Sequence, residues 1–393
     1  MTRRSIMEYA QAVKERYLHS SRKEKAKILD EFVAATHLHR KAAIRLLNRL
    51  NGSRASGTGT AGRKRRGRPP EYDVAVVAAL KVAWEAADYV CSSRLRPFLP
   101  ELVRVLKENG ELDVTAETEA RLCSLSASSI DRITRRWRYG RSRTGLATTK
   151  PGTLLKNAIP IKTFTEWEDT RPGFIEADLV AHCGESPEGF YLTTLSTVDV
   201  ATGWCEPVAV WGKGQERVGG AVNRVRQRLP MPMLGLDSDN GGEFINRGMY
   251  DYCRRNHITF TRSRSYKKND SCHVEQKNWS VVRKKIGYHR FSSKAAYGAL
   301  DNVYALLRLH VNFFKPVRKL IAKSRHGAKV RKVYDIAQTP YQRLLSSGVL
   351  TQEKKRELAS IYAALNPVTL QRETAKTLEY LWTLRDKTSS PTD

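Results

Sequence analysis

The chain has few acidic side chains, no closely spaced cysteine pairs and no long apolar runs. Each of these absences excludes some classes of protein. In 393 residues, 40 Asp and Glu stand against 69 Lys and Arg, a formal net charge of +29. The six cysteines are scattered without a C-x-x-C pair, which favours a reduced, cytoplasmic chain. No apolar stretch reaches the roughly 20 residues of a membrane-spanning helix. The first residues lack the apolar segment of a secretory signal, so we expect a cytoplasmic protein without a membrane partner.

The excess of positive charge indicates a polyanionic partner. Phosphate contacts supply most of the non-specific affinity of proteins for nucleic acid, because they release counterions. We therefore predict a nucleic-acid partner. A generally basic protein, such as a ribosome-associated factor, is the alternative that composition leaves open. The length predicts two or more domains.

Residues 1–50 show helical periodicity that ends in a short basic helix. Ser20 and Ser21 can cap a second helix, and a break at residues 36–39 precedes a third. Helix, tight turn and short basic helix is the helix-turn-helix pattern, so we predict a DNA-binding domain here. An ordinary three-helix bundle with a charged face is the alternative. The predicted DNA contacts are Arg40, Lys41, Arg45 and Arg49.

Two segments of linker composition separate the predicted domains. Residues 51–71 have few apolar anchors and end in a basic stretch whose Arg-Gly-Arg-Pro core resembles an AT-hook. Such an extended segment fits a narrow A·T-rich minor groove. A solvated basic linker is the alternative. Residues 144–168 form the second predicted linker. The predicted minor-groove contacts are Arg65, Arg66 and Arg68.

A second helical domain is predicted over residues 72–143. Ser126 begins a pattern like the turn and start of another recognition helix, which continues into a run of arginines. Two such modules in tandem would recognise a longer DNA site than one. A helical spacer with a basic end is the alternative. The predicted DNA contacts are Arg132, Arg135 and Arg136.

Residues 169–315 change from helical to mixed periodicity. The predicted strands cover 173–182, 191–203, 204–211, 233–239 and 258–262, and the predicted helices cover 215–229, 243–256, 273–286 and 293–314. Three strands followed by alternating helices and strands predict an α/β mixed sheet with helices on its faces. For residues 316–393 we predict a mainly helical C-terminal extension.

Three acidic residues in this region occupy positions that suit metal chemistry. Asp178 lies in the apolar run of the first strand, where a carboxylate costs free energy unless it finds a partner or a metal. Asp239 closes the fourth strand, and strand ends in α/β sheets commonly carry active groups. Glu275 lies near the start of its helix. Ideal α-helical geometry places Glu275 on the apolar side and Lys277 on the opposite side.

Carboxylates are hard oxygen ligands suited to Mg²⁺ or Mn²⁺. Two such ions, roughly 3.5–4 Å apart, can clamp the attacking and leaving oxygens of a phosphoryl transfer. Other acids in the region are expected to be structural or to support the three acids without holding metal, with Asp237 the strongest rival of Asp239; these acids are Glu176, Asp199, Asp237 and Glu243. Cations near Glu275 are expected to grip phosphates, or else to form a solvated helix face: Lys267, Lys268, Lys277, Arg283, Lys284 and Lys285. Asn240 and Asn278 are expected to orient the flanking loops.

The order and spacing of the three acids carry a resemblance. The three acids lie in distinct short motifs: Asp178 in FIEADLV, Asp239 in LDSDNGGEF and Glu275 in KKNDSCHVEQKNW. Between Asp239 and Glu275 there are 35 residues. The chain resembles the transposase and retroviral integrase superfamily, which carries a D…D-35-E catalytic core on a ribonuclease H-like fold, over about residues 165–315. Its layout resembles bacterial insertion-sequence transposases. We find no His-His-Cys-Cys module of the retroviral type, so zinc is not implied.

The resemblance implies a DDE-type transposase or integrase, a polynucleotidyl transferase, in a bacterial, nucleoid-associated setting. Metal held by Asp178, Asp239 and Glu275, two ions per active site, would activate water to cut double-stranded DNA at mobile-element ends. The freed 3′-hydroxyl would then attack target DNA. Pairing of two DNA ends implies a homo-oligomer in a synaptic complex. The alternatives are a catalytically inactive DNA-binding regulator and a ribonuclease H-type nuclease that hydrolyses without joining strands.

Overall fold

The computed structural model describes residues 1–49, 72–138, 171–263 and 272–386. Both predicted linkers lie outside the described residues. So do five predicted DNA contacts, which are Arg65, Arg66, Arg68, Lys267 and Lys268, and the side chain of Arg49. The chain divides into two compact units, Met1–Pro69 and Pro70–Asp393.

The described part of the first unit consists of three helices. They are α1 (Arg3–His19), α2 (Arg22–Thr36) and α3 (Arg40–Arg49). Ser21 caps α2 in a capping box with Glu24, so the predicted serine cap is confirmed at the second of the two serines. His37 ends α2 in the left-handed conformation, with φ 56°. The core of the unit is built on Phe32, which is fully buried and stacks on Tyr9 with 5.2 Å between ring centroids.

The second unit begins with four helices that join the core of the sheet. They are α4 (Val74–Ala86), α5 (Ser92–Glu108), α6 (Ala116–Cys123) and α7 (Ala127–Thr134), with a 3₁₀ turn over Arg135–Trp137. Ser126 caps α7 as predicted, because its side chain accepts a hydrogen bond from the Ser129 amide at 3.1 Å. The buried side chains of these helices form one continuous cluster with those of the sheet.

A five-stranded mixed sheet lies at the centre of this unit. Its strands are β1 (Phe174–Ala181), β2 (Thr193–Asp199), β3 (Val208–Val210), β4 (Gly235–Ser238) and β5 (Thr259–Arg262), in the order β3-β2-β1-β4-β5. β1, β2 and β3 pair antiparallel, whereas β4 runs parallel to β1 and β5. The predicted α/β mixed sheet is confirmed, with strands shorter than predicted. Glycine is required at Gly235, where a Cβ would lie 2.5 Å from the Phe174 ring.

Helices connect and cover the strands. They are α8 (Gln215–Arg228), α9 (Arg247–Arg255), α10 (Cys272–Lys277), α11 (Lys284–Ile286) and α12 (Lys294–Phe314). α9 begins four residues later than predicted because Asn246 caps it, accepting the Met249 amide at 2.9 Å. α10 and α11 are joined by a π-helical segment over Asn278–Arg283, where an uninterrupted α-helix was predicted.

The C-terminal region is helical only in part. A hairpin of β6 (Leu320–His326) and β7 (Lys329–Tyr334) interrupts it, so the helical prediction is wrong for these residues. Three helices follow: α13 (Pro340–Ser346), α14 (Gln352–Ala363) and α15 (Pro367–Thr383). Among the helices that the structure describes, none has the length and apolar character needed to cross a membrane.

Candidate active site

Asp178 and Asp239 occupy neighbouring positions at the middle of the sheet. β1 and β4 are adjacent and parallel, and their register pairs Ala177 with Ser238. The next residue of β1 is Asp178, and the residue that follows the end of β4 is Asp239. Adjacent strands lie about 4.8 Å apart, so the two carboxylates lie at the same level of the sheet. The parallel pairing of two strands that are distant in sequence therefore brings these two acids together.

Glu176 fixes the start of the helix that carries the third acid. Its Oε2 accepts hydrogen bonds from the amides of His273 at 3.0 Å and Val274 at 2.9 Å. A carboxylate at a helix N-terminus satisfies free N–H groups and interacts favourably with the helix dipole. Glu176 is buried, and Glu275 follows one residue beyond Val274. Glu176, which was expected to be structural or to support the three acids from outside, thus attaches α10 to the strand that carries Asp178.

Asn278 holds the carboxylate of Asp178. Its Nδ2 donates to Oδ2 of Asp178 at 2.6 Å, and the Leu179 amide donates to Oδ1 at 2.8 Å. Asn278 lies one helical turn beyond Glu275, so both residues belong to the part of the helix next to Asp178. The predicted orienting role of Asn278 is directed at the carboxylate itself rather than at a loop.

The environment of Asp178 disfavours its negative charge. Burial, together with the charges of Asp239 and Glu275, raises the pKa of this carboxyl to about 7 against the opposing hydrogen bonds of Leu179 and Asn278. The three acids are therefore close enough to repel one another. A bound cation would relieve this repulsion and restore the ionised form of Asp178.

The donor set fits a hard divalent cation, although the side chains do not enclose one. Its members are carboxylate oxygens, the ligand type that Mg²⁺ and Mn²⁺ prefer. Within the described ranges, no three His, Cys, Asp or Glu side chains are grouped tightly enough to hold a metal ion. Glu275 is exposed, so its carboxylate is on the solvent side of α10.

The predicted orientation of the Glu275 helix is wrong. Lys277 is buried, with 5% of its surface exposed, and Glu275 is exposed. The π segment explains the reversal, because each of its turns holds more residues than an α-turn. The buried residues Val274, Lys277 and Val281 are three and four apart and form one stripe. The larger π turn brings Val282 towards that stripe rather than towards Glu275.

The described cations near Glu275 differ in burial and in partners. Burial lowers the pKa of Lys277 to about 8, and its side chain does not face solvent. Lys285 Nζ binds Asp88 Oδ1 at 2.6 Å. Arg283 is half-buried and lies over the Tyr288 ring at 4.8 Å. Among those described, Lys284 alone is exposed as predicted.

The rival acids have structural partners. Asp237 is buried and accepts the Thr261 hydroxyl at 2.7 Å. Asp199 accepts the amides of Gly173 and Thr202, both at 2.7 Å, and closes the turn after β2. These contacts agree with the structural roles expected for the two acids.

Glu243 lies nearer to the candidate site than its sequence position suggests. Burial raises the pKa of its carboxyl, and the charge of Asp239 raises it further. Its carboxylate lies over Gly241, where a Cβ would approach the Glu243 carboxyl carbon to 2.6 Å. Asn240 ties the same loop to β5, donating to the Ser263 carbonyl at 2.8 Å and accepting from Arg262 at 3.1 Å. The loop after β4 therefore has a defined conformation beside Asp239.

The predicted DNA contacts outside the sheet are solvent-exposed. In the first unit these are Arg40, Lys41 and Arg45, and in the second they are Arg132, Arg135 and Arg136. Arg40 forms an ion pair with Asp30, and the Arg136 guanidinium lies 5.0 Å from the centre of the Trp137 ring. Their contact with DNA stays a prediction.

Comparison with known proteins finds one close relative in sequence. No family model matches the chain. The chain is 38% identical over 339 residues to the uncharacterized protein y4rM of Sinorhizobium fredii (strain NBRC 101917 / NGR234). This match covers 83% of the chain and 91% of that protein.

Similarity to solved structures is more distant. The catalytic core domain of BIV integrase matches at 18% identity and a TM-score of 0.30, over 44% of this chain and 95% of that chain. The HTLV-2 integrase catalytic core domain in complex with magnesium (dimeric form) matches at 16% identity and a TM-score of 0.28, over 37% of this chain and 90% of that chain. The simian T-cell lymphotropic virus intasome in complex with PP2A regulatory subunit B56 gamma matches at 12% identity and a TM-score of 0.32. This match covers 61% of this chain and 72% of that chain. At this level of likeness the neighbours do not determine what this chain does.

Proposed function

The chain belongs to the same family as the y4rM protein of Sinorhizobium fredii, and from its own residues we propose that it is a DNA transposase or integrase. It would cut double-stranded DNA at the ends of a mobile element and join those ends to target DNA. The observation that carries the proposal is the placement of Asp178 and Asp239 side by side on adjacent parallel strands, with the helix of Glu275 held against Asp178 by Glu176 and Asn278. Strongly perturbed carboxyls that repel one another are typical of sites built for a cation or a proton.

Each residue of the site has a separate task in this proposal. Asp178, Asp239 and Glu275 would hold Mg²⁺ or Mn²⁺, two ions per active site. The ions would supply Lewis acidity for an in-line phosphoryl transfer when bound. Asn278 orients the Asp178 carboxylate through its 2.6 Å hydrogen bond. Glu176 holds the first turn of α10, which carries Glu275.

The positive charge of the chain supports DNA as the substrate. The net charge of +29 favours binding to phosphate backbones. The proposed contacts in the two helical modules are the exposed cations Arg40, Lys41 and Arg45 of α3, Arg132 of α7, and Arg135 and Arg136 of the 3₁₀ turn, together with Lys284 near the site. A homo-oligomer that pairs two DNA ends, as in an insertion-sequence transposase, is the assembly that we propose.

Strand transfer tests the proposal. The full-length protein is incubated with Mg²⁺ and labelled DNA from the ends of the element that encodes it, and cut and joined products are separated. We expect Asp239→Asn to lose more than the roughly 10–100-fold that removal of an outer partner of a metal ligand costs, because the amide keeps the shape but loses the charge. Asp237→Asn is the matched control, since this neighbouring acid is buried in the sheet and accepts the Thr261 hydroxyl.

The products also separate the alternatives. Equal activity of Asp239→Asn and the wild type would contradict the metal-binding role. Cut strands that are never joined would indicate a ribonuclease H-type nuclease. Sequence-specific binding without cleavage in any divalent metal would indicate a DNA-binding regulator.

A further inference from the structure

The hairpin of residues 320–334 is exposed on both faces. Every residue of β6 and β7 is solvent-exposed, including Ile321, Val330 and Val333. An isolated two-stranded hairpin is only marginally stable in water, so an uncovered one is a candidate for a binding element. We call this hairpin the basic ribbon.

The basic ribbon carries charge of one sign. Residues 320–334 contain five Lys and Arg and no Asp or Glu; the five are Lys323, Arg325, Lys329, Arg331 and Lys332. None of them forms an ion pair with another residue that the structure describes. The charge of the ribbon is thus left for a partner.

The cations lie on both faces of the ribbon. The register pairs Lys323 with Lys332 and Ser324 with Arg331. Cross-strand partners share a face, and neighbours along a strand alternate, so Lys323 and Lys332 lie on the face opposite to Arg331. Directly opposed like charges such as Lys323 and Lys332 are unfavourable in the free ribbon. A polyanion would turn this repulsion into attraction.

The base of the ribbon is firmly attached to the rest of the unit. Asp335 accepts the Lys319 amide at 2.7 Å and forms an ion pair with Arg343 of α13 at 2.7 Å. Arg343 also donates to the Val317 carbonyl at 3.0 Å, and Val317 bridges to Gln338. A fixed base presents the ribbon in one direction, which lowers the entropy that binding must overcome.

We propose that the basic ribbon is a DNA-binding arm that lies in a groove of duplex DNA. The major groove, about 12 Å wide, admits a two-stranded ribbon. Cations on both faces can then reach the phosphates that line both walls. The inference rests on the proposed function in one respect, that the substrate is DNA. Edge-to-edge pairing with a second copy is disfavoured, because it would bring two sets of five cations together.

The salt dependence of DNA affinity tests the arm. The full chain is compared with the ribbon variant Lys329→Gln, Arg331→Gln and Lys332→Gln by titration of a fluorescent non-specific duplex at several salt concentrations. The control variant Lys354→Gln, Arg356→Gln and Lys376→Gln removes the same charge from α14 and α15. We expect the slope of log affinity against log salt to fall by about 2 to 3 in the ribbon variant, and to stay near the wild-type slope in the control.

The outcomes separate the arm from the proposed function. A ribbon variant with the wild-type slope, or with the slope of the control, would overturn the arm whether or not strand transfer persists. A change in molar mass by light scattering without a change in slope would assign the ribbon to self-association and also overturn it. A lower slope in the ribbon variant, combined with full activity of Asp239→Asn, would leave the arm standing and overturn the proposed function. Absence of duplex binding by the wild type would overturn both.

Discussion

Replacing Asp178 with asparagine is predicted to stabilise the metal-free protein at alkaline pH. Native Asp178 binds its proton more tightly than the unfolded chain does, since its pKa is raised to about 7. The free energy of unfolding therefore falls as the pH rises from about 4 to about 7. The asparagine variant has no such charge to bury. Its amide can be accommodated, because Oδ1 of Asn278 is buried without a hydrogen-bond partner and can accept from it after the Asn278 amide rotates.

The size of the effect follows from the shift in pKa. A rise from an ordinary value near 4 to about 7 corresponds to about 4 kcal/mol, at about 1.4 kcal/mol for each tenfold change in proton affinity. Asp178 is only half-buried by its surface, so solvent screens part of this energy. We expect about 1–2 kcal/mol of stabilisation in the variant, a rise of several degrees in melting temperature.

Thermal unfolding in a chelating buffer at about pH 4 and about pH 8.5 checks this prediction. The variant should match the wild type at the acidic pH and exceed it at the alkaline pH. Asp131→Asn is a control for which the expected change in stability has the opposite sign. The Ser92 hydroxyl donates to Asp131 at 2.7 Å and lowers the pKa of its carboxyl. That variant should lose stability at the alkaline pH. A melting temperature of Asp178→Asn at or below that of the wild type at pH 8.5 would refute the reasoning.

Three further variants test the surroundings of the site. Glu176→Gln should weaken the capping of α10 and slow cleavage by about 10- to 100-fold without changing DNA affinity, measured on one duplex; equal loss of affinity would contradict it. Asn278→Leu should raise the pKa of Asp178 beyond about 7 in an NMR titration of the metal-free protein, and an unchanged pKa would contradict the role of its hydrogen bond. Asp88→Asn should destabilise the fold by about 3–5 kcal/mol in denaturant unfolding, because Lys285 and Lys315, each 2.6 Å from Asp88, would lose their partner; a cost below about 1 kcal/mol would contradict it.

The sheet and the proximity of its two aspartates could be predicted from the sequence. Between the strand that contains Asp178 and the strand that Asp239 follows, the chain forms β2, β3 and α8, and the helix before β4 provides the crossover that parallel neighbours need. Once two strands are parallel neighbours, residues at corresponding ends lie side by side. The predicted mixed sheet followed from periodicity alone.

The orientation of Glu275 could not be predicted in the same way. Ideal α-geometry aligns Glu275 with Val282, whereas the π segment rotates Val282 towards the face of Lys277. A π turn forms where tertiary packing favours it and leaves no periodic signal in the sequence. The hydrogen bond from the His273 amide at the start of α10 to the Glu176 carboxylate likewise could not be predicted, because the two residues are 97 positions apart in the sequence.

The basic ribbon escaped prediction for a different reason. A half-buried strand shows alternation of apolar and polar residues, which is the signal that periodicity detects. In β6 and β7 both faces are exposed and both carry cations, so the alternation is missing. The turn at Gly327, with φ 59°, was the remaining local signal.

Anomalous diffraction from a crystal soaked in Mn²⁺ tests the central claim most directly. The account predicts a manganese peak within about 2.0–2.3 Å of carboxylate oxygens of Asp178 and Asp239, with Glu275 turned inward to complete the site. A protein that binds no manganese there, or binds it at other acids while Asp178 stays protonated, would contradict the account.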